Sequence, residues 1–179
     1  MMAIDIEFRL AKVTEAGHLA VMSRELVETG LGWSWTPSRI TRHIRSPESI
    51  VLVANCRSRI AGFAIMRFGS EEAHLDLLAV KPDYRRAGVG RMLIEWLEES
   101  ALVAGVSIIY LEVRSGNSVA QQFYESLGYR RVRQLYGYYL VPNWYVARHR
   151  VSYWNKFYRP ETLPLYYNPT QELMTWWSK

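Results

Sequence analysis

The run Arg85-Arg86-Ala87-Gly88-Val89-Gly90 constrains this chain more than any other stretch. It follows an apolar, strand-like segment, "AHLDLLAV". It precedes a run in which Val89, Leu93, Leu97, Ala101 and Ala104 recur on one helical face. A strand must therefore end, turn through glycine and enter a helix within a few residues. The first N–H groups of a helix have no partner inside it, and the helix dipole places partial positive charge behind them. Two arginines before the glycines and Arg91 after them add charge. Such a turn is an anion site, most often for phosphate.

Three phosphate signatures compete. An ATP-type loop needs Lys-Ser/Thr after its last glycine, whereas Arg91-Met92 follow Gly90. A dinucleotide fingerprint places a third glycine where Leu93 stands and turns directly from strand into glycine. Here seven residues, Pro82 among them, separate Val80 from Gly88, although Glu112 sits about where a ribose-binding acid belongs. The third signature is Arg-x-x-Gly-x-Gly between a strand and an amphipathic helix.

The rest of the chain reads as α+β. "EFRLAKV" is a short strand, and Ala16 to Val27 a helix closed by Gly30 and Gly32. Thr36 caps a second helix with Pro37 in its first position, and Ser46-Pro47 ends it. "SIVLVAN" and "RIAGFAIMRF" form a hairpin around Arg57-Ser58. Gly105 ends the helix opened at Gly88, and "SIIYLEV" is a strand. Ser118 and Gln121 suggest a capping box for a helix to Leu127, with Gly128 at its C-cap. "YRRVRQLYGYYLV" and "YVARHRVSYW" supply two more strands.

At 179 residues and 49% hydrophobic content the chain can build one core. We divide it into a domain over 1–153 and an aromatic-rich extension over 154–179, which packs on the domain or on a partner subunit. No run suits a membrane span, the N-terminus lacks a signal-peptide pattern, and no His/Cys spacing suggests a metal. The one cysteine, Cys56, lies in an apolar run and reads as a buried side chain. The expectation is a cytoplasmic, metal-free protein without a membrane partner. Net charge is +5, and no acid stands between Glu125 and Glu161. That basic interval is a solvated face or an attractor of phosphates, an acidic substrate or nucleic acid.

The Arg85–Gly90 motif, together with "YLEVRSGNSVAQQFYESLGY", resembles the GCN5-related N-acetyltransferase (GNAT) superfamily. The nearest likeness is its bacterial ribosomal-protein-alanine N-acetyltransferase branch, over about Ala73 to Tyr139. The resemblance implies a mixed, mostly antiparallel central sheet of about seven strands, its fourth and fifth strands splayed, flanked by about four helices. It implies acetyl-CoA as co-substrate and an amine acceptor, protein or small molecule. Nucleic acid is not the expected partner, and the chain acts alone or as a homodimer. The cofactor would be held by Arg85, Arg86, Ala87, Gly88, Val89, Gly90 and Arg91, and by Asn117, whose alternative role is to cap its helix. The backbone at Leu78, Ala79 and Val80 would face the thioester carbonyl.

By the same resemblance Tyr124 protonates the leaving sulfur; a phenol near pKa 10 is protonated at neutral pH. Its alternative is a buried helix tyrosine. Tyr110, Glu112 and Arg114 share one face of their strand, with Ile109, Leu111 and Val113 on the other. Glu112 is the candidate base, or else half of a structural pair with Arg114 or Arg131. Asp76 and His74 are rival bases, and Asp76 facing Glu112 would raise one carboxyl pKa by repulsion. The resemblance implies that Trp33, Trp35, Asp76 and Tyr138 border the acceptor pocket; the alternative for the two tryptophans is a hydrophobic lid that closes the core. Asn143-Trp144 stand where the branch tends to carry acidic residues, a departure that bears on peptide recognition.

Overall fold

The computed structural model describes residues 5–135 and 151–157. Seven strands form one sheet in the order β1-β2-β3-β4-β5-β7-β6. In chain order these are β1 (Ile6–Leu10), β2 (Ser49–Cys56), β3 (Arg59–Phe68), β4 (Glu72–Val80), β5 (Ile108–Arg114), β6 (Arg130–Leu135) and β7 (Val151–Phe157). The helices are α1 (Ala16–Leu26), α2 (Pro37–Arg45), α3 (Val89–Val103) and α4 (Ser118–Ser126). All neighbouring strands run antiparallel except β4 and β5.

Local chemistry sets most of these limits. Thr36 accepts a hydrogen bond from the Arg39 N–H, and Pro37 opens α2. Arg57 and Ser58 both adopt positive φ, as a two-residue hairpin turn requires. Asn117, not Ser118, caps α4, accepting from the Ala120 N–H at 3.1 Å. Gln121 instead donates to the Ser115 carbonyl at 2.8 Å, so the expected Ser118–Gln121 capping box does not form. Ala104 lies exposed just past α3 rather than on its buried face. Cys56 is half-buried at a strand end.

Helices cover both faces of the sheet. α3 and α4 bury Leu93, Ile94, Leu97 and Tyr124 against Leu52, Met66, Ile109 and Leu111. α1 and α2 bury Leu19, Met22 and Ile40 against Val51, Val53, Phe63 and Ile65. β4 changes allegiance along its length: Ala73 and Leu75 face the α3/α4 layer, while Leu77 and Ala79 face the α1/α2 layer. A β-bulge explains the switch, because Ile65 pairs with Leu77 and Met66 with Leu75, leaving Asp76 as the extra residue.

β7 runs four residues past the expected domain limit at 153, and Trp154 is buried in the α3/α4 core. Lys156, from the basic interval, pairs with the buried Glu98 at 3.0 Å rather than facing solvent anions. Tyr138 and the chain beyond Phe157 lie outside the described residues, as do Asn143 and Trp144.

Candidate active site

Parallel pairing between β4 and β5 runs from Glu72↔Ile108 to Leu75↔Leu111 and stops there. Beyond it the two strands diverge, β4 still paired to β3 and β5 to β7. The bulge at Asp76 sits where the divergence begins, and a bulge bends its strand. The phase of the β3–β4 ladder follows from the Lys81 N–H, which donates to the Ala61 carbonyl at 2.9 Å. Antiparallel pairs alternate between bonded and non-bonded. Ala79 therefore bonds Phe63, while the Leu78 and Val80 amides turn away from β3 into the gap. Of the three residues expected to offer backbone N–H groups, Ala79 is spoken for by β3.

A cleft of about 790 Å³ occupies this gap. Trp33 and Trp35 line it from the α1–α2 connection, Asp76 and Leu78 from β4, Glu112 from β5, and Asn117 and Tyr124 from α4. With His74 of β4, which also lines it, the fold brings together eight of the candidate site residues singled out in the sequence. Tyr124 packs edge-on against Phe123 and Tyr129, and burial raises its phenol pKa above the usual value. Its hydroxyl is therefore a proton donor throughout the neutral range.

The glycine turn lies at the other end of the gap. Gly88 takes φ +81° as the N-cap of α3, a conformation a side chain strains, and Arg86 takes φ +60°. Gly90 permits a close approach: a Cβ there would stand 3.4 Å from Phe123 Cζ and 3.6 Å from Val80 Cγ2. The first turn of α3 is thereby held against α4 and the end of β4, with its N–H groups at the exposed turn. Val89 points its side chain into the core, so only its backbone is available. Arg85 donates through Nε to the Val80 carbonyl at 3.1 Å and braces the turn. Arg91 lies 3.7 Å from Glu95 and reaches Ser126 Oγ at 3.4 Å. Ala87 and Arg86 are exposed.

The carboxylate of Asp76, the rival base, is bound by Arg67 and His74. Burial favours its neutral form, but hydrogen bonds from Arg67 and His74 outweigh that and hold its carboxyl well below the usual range. His74 intervenes between the two carboxylates that the sequence suggested would repel. Arg114 donates to the Val27 carbonyl at 2.7 Å and to the Thr29 carbonyl at 3.1 Å. The splayed end of β5 is thus tied to the C-terminus of α1.

Sequence reasoning missed Glu28 and Arg39. The Glu28 carboxylate, 5% exposed, accepts from the Ser34 N–H at 2.7 Å and the Ser34 hydroxyl at 2.6 Å. It also accepts from the Trp35 N–H at 3.2 Å and the Ser23 hydroxyl at 3.2 Å. This anchor shapes the connection that carries both tryptophans into the cleft. The Trp33 indole N–H donates to the Trp35 carbonyl, and the Arg39 guanidinium stacks 4.0 Å from the Trp35 ring. An acid just past a helix C-terminus opposes the helix dipole, and that misfit was the available signal for Glu28.

Replacing Glu28 with alanine leaves these donors without their acceptor and is expected to cost about 1–3 kcal/mol. The measurement is a denaturant midpoint followed by tryptophan emission, which should shift to the red as Trp35 becomes wet. A wild-type midpoint and emission would show that the connection is held by other contacts.

The acetyltransferase (GNAT) family model matches residues 20–129. Over 81 residues the chain is 43% identical to the [ribosomal protein bS18]-alanine N-acetyltransferase of Salmonella typhimurium, covering 45% of this chain and 55% of the relative. It is 32% identical over 111 residues to the N-alpha-acetyltransferase RimI of Mycobacterium tuberculosis, covering 60% of this chain and 68% of the relative. The chain spans about half the length of the first of these relatives. Among solved structures, the ribosomal-protein-S18-alanine N-acetyltransferase of Escherichia coli superposes with a TM-score of 0.74 at 24% identity, over 91% of this chain and 100% of the other. Arabidopsis thaliana NAA60 in complex with acetyl-CoA gives a TM-score of 0.74 at 19% identity, over 86% and 99%. The diverging β4 and β5, the glycine turn that follows β4 and the family match agree: this chain belongs to the GNAT acetyltransferase family.

Proposed function

We propose that the protein transfers an acetyl group from acetyl-CoA to a primary amine by direct attack, the α-amine of a protein N-terminus being the favoured acceptor. The carrying observation is the cleft between the diverging strands, which gathers Glu112, Tyr124 and Leu78, whose amide turns away from β3. One relative named for alanine N-acetylation and another named an N-alpha-acetyltransferase support the choice of an N-terminal amine.

The residues present fit the cofactor. Gly88 and Gly90 keep the first turn of α3 free of side chains where phosphate oxygens approach, and Arg86 adds exposed positive charge. Bound acetyl-CoA supplies an activated acyl group as a thioester. The Leu78 and Val80 N–H groups stabilise negative charge on the carbonyl oxygen. Glu112 receives a proton from the amine, and the Tyr124 hydroxyl gives one to the departing sulfur. Trp33 and Trp35 wall the acceptor side.

Magnitudes favour an α-amine. Neutralising an ammonium of pKa about 8 at pH 7 costs about 1.4 kcal/mol, against about 4.6 kcal/mol for a lysine of pKa about 10.4. The test measures CoA release with acetyl-CoA and four acceptor sets: free N-terminal peptides, N-blocked lysine peptides, polyamines and aminoglycosides. Turnover with free N-termini, falling sharply when they are blocked, is expected. Turnover confined to the small amines would overturn the acceptor assignment, and none with any amine would overturn the activity.

A further inference from the structure

We propose that His74 shares the amine proton with Glu112, as the second half of a two-group base oriented by Asp76 and Arg67. This rests on the acetyl-transfer reading above. Four side chains from three adjacent strands carry it. Arg67 on β3 stands opposite His74 in the β3–β4 register. It holds both oxygens of Asp76 through Nε and Nη2, the latter at 2.6 Å. Asp76 Oδ1 lies 2.7 Å from His74 Nδ1, and His74 Nε2 lies 3.8 Å from Glu112 Oε1.

The chain has a direction. Asp76, 5% exposed and bound to a guanidinium, is an ionised acceptor with no proton to give. The Nδ1–H of His74 must therefore donate to it. In the neutral imidazole the lone pair then falls on Nε2, the nitrogen nearer Glu112. A gap of 3.8 Å is too long for a direct hydrogen bond. It leaves both atoms able to contact one amine nitrogen entering the cleft that His74, Asp76 and Glu112 all line.

Proton bookkeeping closes. The amine lone pair forms the C–N bond as the C–S bond breaks, and the proton lost from nitrogen resides on Glu112 or His74 Nε2. The sulfur takes its proton from Tyr124, and exchange with solvent restores both sites.

The groups facing the imidazole are Arg67 from β3, Asp76 from β4, and, from β5, Glu112 and Tyr110, the register partner of His74. Arg39 and His43 of α2 act on it through Asp76. Burial lowers the His74 pKa, but the bond to Asp76 and the charges of Asp76 and Glu112 outweigh it, so the net shift is upward. The base form is then lost as pH falls through a value above the ordinary 6.5 or so of histidine. A lone carboxylate would be lost only near pH 4.

Two measurements on the full chain test this. The first is nitrogen-resolved NMR of the His74 ring without any acceptor. The expected result is a neutral form protonated at Nδ1, with the titration midpoint lowered in Glu112→Gln and the tautomer lost in Asp76→Asn. A wild-type ring protonated at Nε2 in its neutral form would overturn the proposal. The second is the pH dependence of single-turnover acetyl transfer. His74→Gln should slow transfer about tenfold or more at neutral pH and move the enzyme's acid limb toward the carboxylate range. The limb due to the acceptor's own amine is common to every variant. Residual activity in Glu112→Gln should vanish when His74→Gln is added. A folded His74→Gln enzyme with the wild-type profile would overturn the role of His74 alone. Absence of transfer by the wild type would instead overturn the acetyltransferase reading, leaving the NMR result standing.

Discussion

Gly88→Glu weakens acetyl-CoA binding by two to three orders of magnitude while the protein stays folded. Two effects combine at this position. Gly88 has φ +81°, so any side chain there carries backbone strain of about 1–2 kcal/mol. A carboxylate also enters the space meant for phosphate. A like-charge contact at about 4 Å with an effective dielectric constant near 20 is worth about 4 kcal/mol, or roughly a thousandfold in affinity. The site is exposed, so salt screens part of this. Gly88→Ala isolates the strain, because its Cβ would meet only Met92 Cε at 3.8 Å. Calorimetric titration with acetyl-CoA should rank wild type above Gly88→Ala and that variant far above Gly88→Glu. Equal affinity in Gly88→Glu and Gly88→Ala would remove the phosphate from this turn.

The same turn shows why one part of the site was legible in sequence. Its six residues are contiguous, and their chemistry acts through the backbone, which a glycine pattern reports directly. Thr36-Pro37 and Arg57-Ser58 were legible on the same ground, since caps and tight turns are decided within about four residues. The chain from Arg67 through Asp76 and His74 to Glu112 was not. Its members sit on three strands, and nothing local couples them before the sheet forms.

The bulge at Asp76 was hidden for a different reason. Burial alternates without interruption along β4, with Ala73, Leu75, Leu77 and Ala79 all inside. Because helices cover both faces, a residue turned from one face to the other remains buried. Hydrophobic alternation records burial and is blind to which layer buries a side chain. The bulge places Asp76 at the start of the divergence, so the feature that opens the cleft left no mark in the pattern used to find strands. The C-terminal end of β7, at Phe157 rather than Trp154, was missed because "SYWNKF" mixes polar, aromatic and basic residues without a turn signal.

Tyr124→Phe lowers kcat by about a hundredfold with little change in the KM for either substrate. The ring stays packed against Phe123 and Tyr129, so the loss is confined to one hydroxyl. A donor to sulfur matters as the thiolate forms and hardly at all while the substrates bind; such a change lowers kcat and kcat/KM together. Burial keeps the phenol protonated well past its ordinary range, so the loss should be uniform from about pH 6 to 9. That uniformity separates Tyr124 from Glu112. Glu112→Gln should be most damaging at low pH, where the free amine is scarce and proton removal limits the rate. Single-turnover measurement is required, because slow product release would mask a defect in chemistry. A Tyr124→Phe rate within about twofold of wild type would return Tyr124 to its other reading, a core tyrosine on the buried face of α4, and leave thiolate protonation to solvent.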